Sequence, residues 1–134
     1  MFVLDASALL EALVAERPEP DLLARLASDQ AAAPHLIDLE VLHALRRLER
    51  LGDLSADRTA DARADFADIS VVRFPHEPLA DRIWELRENL SAYDGAYVAL
   101  AEVLDCPLIT CDAGLARAGS AAAAVEYFGP THPR

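Results

Sequence analysis

The sequence predicts an α/β fold with a parallel sheet covered by helices on both sides. Three observations carry this. Short apolar runs alternate with longer amphipathic stretches along the chain, which is the order that builds parallel sheets. Two of those runs end at an aspartate that opens a helical segment. And 134 residues is the size of one core of roughly 100–200 residues, so residues 1–134 are read as a single domain.

Phe2-Val3-Leu4 is a buried strand that runs through Asp5 into the helical composition of Ala6 to Leu10. Pro18 and Pro20 break that helix. A second helical stretch covers Asp21 to Gln30, with Leu22, Leu23, Leu26 and Ala27 at core spacing. Ala31–Ala33 before Pro34 is a weak strand. Ile37 to Leu51 is the clearest helix, because Ile37, Val41, Ala44, Leu45 and Leu48 lie on one stripe and Gly52 ends it. Ala56 to Asp68 is an alanine-rich surface helix, and Ser70 to Phe74 is a strand closed by Pro75. Leu79, Ile83, Leu86 and Leu90 mark one amphipathic helix with Trp84 beside the stripe. Ser91 to Leu104 is helical, Leu108-Ile109 is a strand ending near Asp112, and Val125 to Phe128 is a last strand before a loose tail from Gly129 to Arg134. There is no internal repeat and no linker.

Composition narrows the chemistry. Twenty-three acidic residues face 12 basic ones, for a net charge of −11, and all 12 are arginine. Without lysine there is no P-loop amine and no Schiff-base nucleophile. The acidic balance excludes a protein that coats nucleic acid by bulk attraction. No apolar run approaches the roughly 18 residues of a membrane span and no basic leader precedes one, so a soluble cytoplasmic protein is expected. Cys106 and Cys111 flank an extended run that holds them beyond the roughly 7 Å limit for a disulfide, which fits a reducing compartment.

Four acids stand out. Asp5 and Asp112 follow strands and open helices. In a parallel sheet that places them at the carboxyl edge, where ligands bind. Asp94 lies in the first turn of an alanine-rich helix, and Glu40 on the shoulder of an apolar helix face, where a carboxylate requires a partner. Each has a plainer reading. Asp5 and Asp112 serve as N-caps, Asp94 completes a capping box with Ser91, and Glu40 pairs with Arg47. If the four converge, each ionised pair at about 5 Å and an effective dielectric near 20 costs about 3 kcal/mol. A bound cation relieves that repulsion. Oxygen donors without thiolate or imidazole favour Mg²⁺ or Mn²⁺, and the chemistry suited to such a site is metal-assisted phosphodiester hydrolysis.

Val3-Leu4-Asp5-Ala6-Ser7, Leu39-Glu40-Val41, Tyr93-Asp94-Gly95-Ala96-Tyr97-Val98-Ala99-Leu100-Ala101 and Leu108-Ile109-Thr110-Cys111-Asp112 resemble the four acidic motifs of the PIN-domain nucleases. They are closest to the VapC group, the toxin halves of bacterial toxin–antitoxin pairs. The resemblance covers nearly the whole chain in the right order. It implies a three-layer α/β/α sandwich with five strands in the order 3-2-1-4-5. It also implies an Mg²⁺- or Mn²⁺-dependent endoribonuclease acting on tRNA or rRNA, a cognate VapB-type antitoxin, and a homodimer. Asp5, Glu40, Asp94 and Asp112 match the family's acidic positions, with Asp5 and Asp94 as the direct metal ligands, and Ser7 and Thr110 match accessory polar positions. Gly95 replaces the usual alanine and is expected to loosen that helix start.

Arg46 and Arg50, spaced i, i+4 away from the core stripe, are either an RNA-phosphate grip or an ordinary solvated face. Leu39 and Leu42 are either a dimer or antitoxin contact or scattered surface residues. His35, His43, His76 and His132 show no ligand spacing. Trp84, Tyr93 and Tyr97 read as core or interface residues. Two other functions stay open: the same nuclease site used in RNA processing, and a non-catalytic interaction module whose acids are caps.

Overall fold

The computed structural model describes residues 1–129; the expected tail lies largely outside the described residues. Five strands, β1 (Phe2–Leu4), β2 (Ala31–Pro34), β3 (Val71–Phe74), β4 (Leu108–Thr110) and β5 (Val125–Tyr127), form one sheet in the order β3-β2-β1-β4-β5. Every pairing is parallel. The central strand β1 is fully buried, as a strand covered on both faces should be. The order and the parallel pairing are those the resemblance implied.

Parallel pairing requires a crossover between successive strands, and the crossovers carry the helices. The chain moves from β1 to β3 through α1 (Ala6–Val14), α2 (Pro20–Leu26), α3 (Ile37–Arg50) and α4 (Ala56–Asp68). In that layer α1, α3 and α4 pack on one another. It then crosses back past β1 through α5 (Ala80–Glu85) and α6 (Ala92–Leu104) to β4, and through α7 (Ala113–Gly119) to β5; α6 packs on α5, α7 and the central strands.

Several elements depart from expectation in instructive ways. Pro20 does not break a helix but opens α2, where its missing N–H costs nothing. The helix is also shorter than expected: it stops at Leu26, buries only Leu22 and leaves Leu23 exposed. Its Arg25 instead caps the sheet, forking onto Glu126 of β5 and lying 5.0 Å over the Phe2 ring. The strand expected over Ala31–Ala33 is present as β2 and includes Pro34 as its last residue. The stripe on α3 is as expected, with Ile37, Val41 and Leu45 buried. The single helix expected over Leu79–Leu90 is broken into a 3-10 turn (Glu77–Leu79), α5, and a run of turns. All four apolar positions still reach the core. The chain leaves helical geometry after Glu85, and Ser91 then starts α6 by accepting the Asp94 N–H.

Of the three residues read as core or interface, Tyr97 is 1% exposed and lies in the core, while Trp84 and Tyr93 are exposed. Arg87 lies over the Trp84 ring, so that indole is covered by a cation and not by the core. Cys106 and Cys111 bracket β4 unbridged. No helix among the described residues is long and apolar enough to cross a membrane.

Candidate active site

In a parallel sheet alternating with helices, every helix that follows a strand starts near the carboxyl edge. Three of the four acids occupy such starts, and the fourth, Asp94, lies at the start of α6, which follows α5. Asp5 is the N-cap of α1, Glu40 and Asp94 lie in the first turns of α3 and α6, and Asp112 is the N-cap of α7. Helix N-termini favour negative charge, so the fold tolerates carboxylates at these positions. The strands behind them, β2, β1 and β4, are neighbours at the centre of the sheet.

Asp5 is the anchor. It is 4% exposed. Its Oδ1 accepts from the Ala8 N–H at 3.0 Å, Ser7 Oγ lies 2.8 and 2.9 Å from its two oxygens, and Thr110 Oγ1 donates to Oδ2 at 2.7 Å. The two hydroxyls are themselves held, Ser7 by the Cys111 N–H and Thr110 by the Asp112 N–H, both at 3.0 Å. This network ties β1 to β4 across 105 positions of sequence. Burial nevertheless outweighs the donors, and the Asp5 carboxyl is pushed up to about 6, with the nearby Asp112 adding to the rise.

Glu40 does not pair with Arg47. The Tyr97 hydroxyl donates to its Oε1 at 2.7 Å. Burial raises the Glu40 carboxyl, the tyrosine bond opposes that, and Asp94 adds repulsion. Asp94 is likewise raised by burial first and by Asp112 second. The Tyr97 hydroxyl is held protonated by burial and by the Glu40, Asp5 and Asp94 charges around it. These mutual influences run through all four acids, which therefore share one electrostatic neighbourhood. Among the described residues none of the four is in an ion pair.

The capping readings also hold in part. Asp5 and Asp112 do cap their helices, Asp112 through Oδ1 to the Leu115 N–H at 3.0 Å. Capping and clustering are not alternatives here, because both follow from sitting at a helix start on the same edge. For Asp94 the cap is Ser91, and only the aspartate's backbone N–H is used.

Among the described residues, no three His, Cys, Asp or Glu side chains form a ready group for an ion. The donor chemistry does suit a hard divalent cation: only oxygen atoms, carboxyls raised by burial at Asp5, Glu40 and Asp94, and no arginine offsetting them. The other candidates lie apart from this cluster. Arg46 and Arg50 are exposed on α3, and Leu39, 72% exposed, and Leu42 stand out from the same helix. Gly95 is buried inside α6, and a Cβ there would stand 3.3 Å from Ile83 Cγ2. The glycine lets α6 lie close against Ile83 of α5.

Tyr97 is the functional candidate that sequence reasoning missed. A tyrosine three residues after Asp94 on an alanine-rich helix looks like core, and nothing local reveals a partner 57 positions away.

A single sheet edge carrying four carboxylates on four helix starts defines a class of protein, and comparison with known proteins agrees. Residues 2–121 match the PIN domain family. VapC ribonuclease Mb0985 of Mycobacterium bovis is 43% identical over 121 residues, covering 90% of this chain and 93% of its own. Ribonuclease VapC1 of Mycobacterium tuberculosis is 40% identical over 118 residues, covering 87% and 89%. The chain thus belongs to the PIN-domain family and, within it, to the VapC ribonucleases. The fold of FitAcB from Neisseria gonorrhoeae superposes with a TM-score of 0.69 at 20% identity, covering 93% of this chain and 96% of that one. VapBC2 from Rickettsia felis, bound to a DNA fragment from their promoter, gives 0.68 at 11% identity, covering 94% and 97%.

Proposed function

We propose that this chain is the toxin of a toxin–antitoxin pair and hydrolyses RNA phosphodiester bonds at the carboxylate edge with Mg²⁺ or Mn²⁺. The observation that carries the reading is the convergence of Asp5, Glu40, Asp94 and Asp112 on one edge, three of them raised by burial and none offset by an arginine. Asp5 and Asp94 would hold the metal, with Glu40 and Asp112 completing its surroundings or orienting water. The ion, when bound, supplies acidification of water and stabilisation of charge on the phosphate oxygens.

The chain's own residues then have defined tasks. Ser7 and Thr110 fix both oxygens of Asp5, so that carboxylate cannot rotate away. Tyr97 holds Glu40 by one oxygen and leaves the other available. Asp112 spends Oδ1 on its helix and keeps Oδ2. Substrate RNA of the tRNA or rRNA class, contacts from Arg46 and Arg50, a homodimer, and a VapB-type antitoxin covering Leu39 and Leu42 complete the reading. It is supported by ribonuclease relatives at 43% and 40% identity and by a structural neighbour named as a VapBC pair.

The test is cleavage of total RNA with Mn²⁺ and mapping of the new 5′ ends. The wild type should cut at discrete sites, while Asp94→Asn stays folded and inactive. Full activity in Asp94→Asn, or in excess EDTA, overturns the mechanism.

A further inference from the structure

A polyanion approaching a chain of net charge −11 needs a path free of carboxylates. Beside the acidic edge, between α7 and β5, lies an open groove of about 390 Å³ lined by Ala113, Ala116, Arg117, Ser120, Val125 and Tyr127. It meets the edge at two points. Ala113 directly follows Asp112, and Tyr127 is the register partner of Thr110, the donor to Asp5.

The alternation of β5 sorts its side chains. Glu126 turns to the opposite face and is engaged by Arg25, so the one acid of this strand is kept out of the groove. Val125 and Tyr127 line it. No acidic residue does, and Arg117, exposed on α7, is in no ion pair among the described residues. Alanines at 113 and 116 keep the floor low. Tyr127 is 47% exposed, a flat face at the end of an edge strand. At 1.5 Å of rise per residue, Arg117 lies about 7–8 Å along α7 from Asp112.

We propose that this groove receives single-stranded RNA adjoining the cleaved bond, with one base stacked on Tyr127 and a phosphate met by Arg117. The occupant follows from charge complementarity: an unpaired cation and an aromatic face, with no acid in the lining, on an otherwise acidic molecule. The assignment rests on the ribonuclease reading, and its test reads binding apart from cleavage.

The measurement is fluorescence anisotropy of a labelled oligouridylate, with Asp94→Asn as the parent protein so that turnover does not intervene. Tyr127→Leu, which keeps apolar cover on β5 but removes the ring, should weaken binding about ten-fold. Tyr127→Phe should bind like the parent. Arg117→Gln should lower the slope of log affinity against log salt by about 0.7, the value for one phosphate contact on a single strand. Arg63→Gln removes the same charge from α4 in the opposite layer and should change neither quantity. Equal affinity for Tyr127→Leu and the parent overturns the proposal. An equal loss of slope in Arg63→Gln and Arg117→Gln also overturns it, as does no measurable binding by the parent. Loss of affinity in Tyr127→Leu, in a protein whose Asp94-intact form cuts no RNA, upholds the groove and removes the ribonuclease reading.

Discussion

Burial and hydrogen bonding act on Asp5 in opposite senses, and burial wins. The folded carboxyl titrates at about 6 against an ordinary 3.8, so between those values the folded chain holds a proton that the unfolded chain has lost. Its contribution to stability is therefore greatest below about pH 4 and falls as pH rises through 6, by about 3 kcal/mol in metal-free protein. Asparagine keeps the capping oxygen without the charge. Asp5→Asn in EDTA should thus resist urea at pH 7.5 by about 1–3 kcal/mol more than wild type, with the gain vanishing towards pH 4. No gain at pH 7.5 would show that the buried charge is not penalised. Tyr97→Phe removes the side-chain hydrogen bond that Glu40 accepts from its hydroxyl. We expect a stability loss of about 1–2 kcal/mol in denaturant titrations and a larger proportional loss of RNA cleavage. Asp5, Asp94 and Asp112 were legible in the sequence because each marks a helix start. The Tyr97–Glu40 pair was not, since it joins opposite helical layers around the end of the sheet.

At the level of elements, α6 does most to place the site, and its start is set by two small residues. Ser91 caps it, and Ser91→Ala should cost about 1 kcal/mol in thermal unfolding while loosening Asp94. Gly95 was expected to loosen the same turn, yet it lies buried against Ile83. Helix propensity favours alanine over glycine by about 1 kcal/mol. The 3.3 Å approach to Ile83 Cγ2 asks only a small shift of the six-residue α5. Gly95→Ala should accordingly stabilise by up to about 1 kcal/mol in the same assay; destabilisation would mean that α5 cannot yield. Elements with a full stripe, such as α3, were readable from period alone. The stretch from Leu79 to Leu90 was not, because four apolar residues at helical spacing satisfy the core equally well as a turn, a short helix and another turn. Periodicity reports which side chains are buried, and is silent on whether the backbone between them is continuous.

Across the whole molecule, acidity and function are reconciled by position. Asp5, Glu40 and Asp94 at the carboxyl edge are raised by burial and by neighbouring acids. A divalent ion that binds the folded state must stabilise it. Mn²⁺ should raise the melting temperature at pH 7.5 and raise it less at pH 5, where protons compete for Asp5. An equal shift at both values, or none, would separate metal binding from these carboxylates. The fold order was legible only through the resemblance, since alternation of strands and helices admits several parallel orders.

The strand at the centre of the sheet is also the first of the five in chain order. One of its two neighbours, β4, follows only after β2, β3 and the six helices α1 to α6. Thr110, which anchors Asp5, arrives 105 residues after it. A nascent chain therefore carries an incomplete carboxylate edge until β4 has been made. Any product truncated before β4 lacks both Thr110 and Asp112. The topology itself leaves the edge short of two of its members until β4 and the start of α7 have been made.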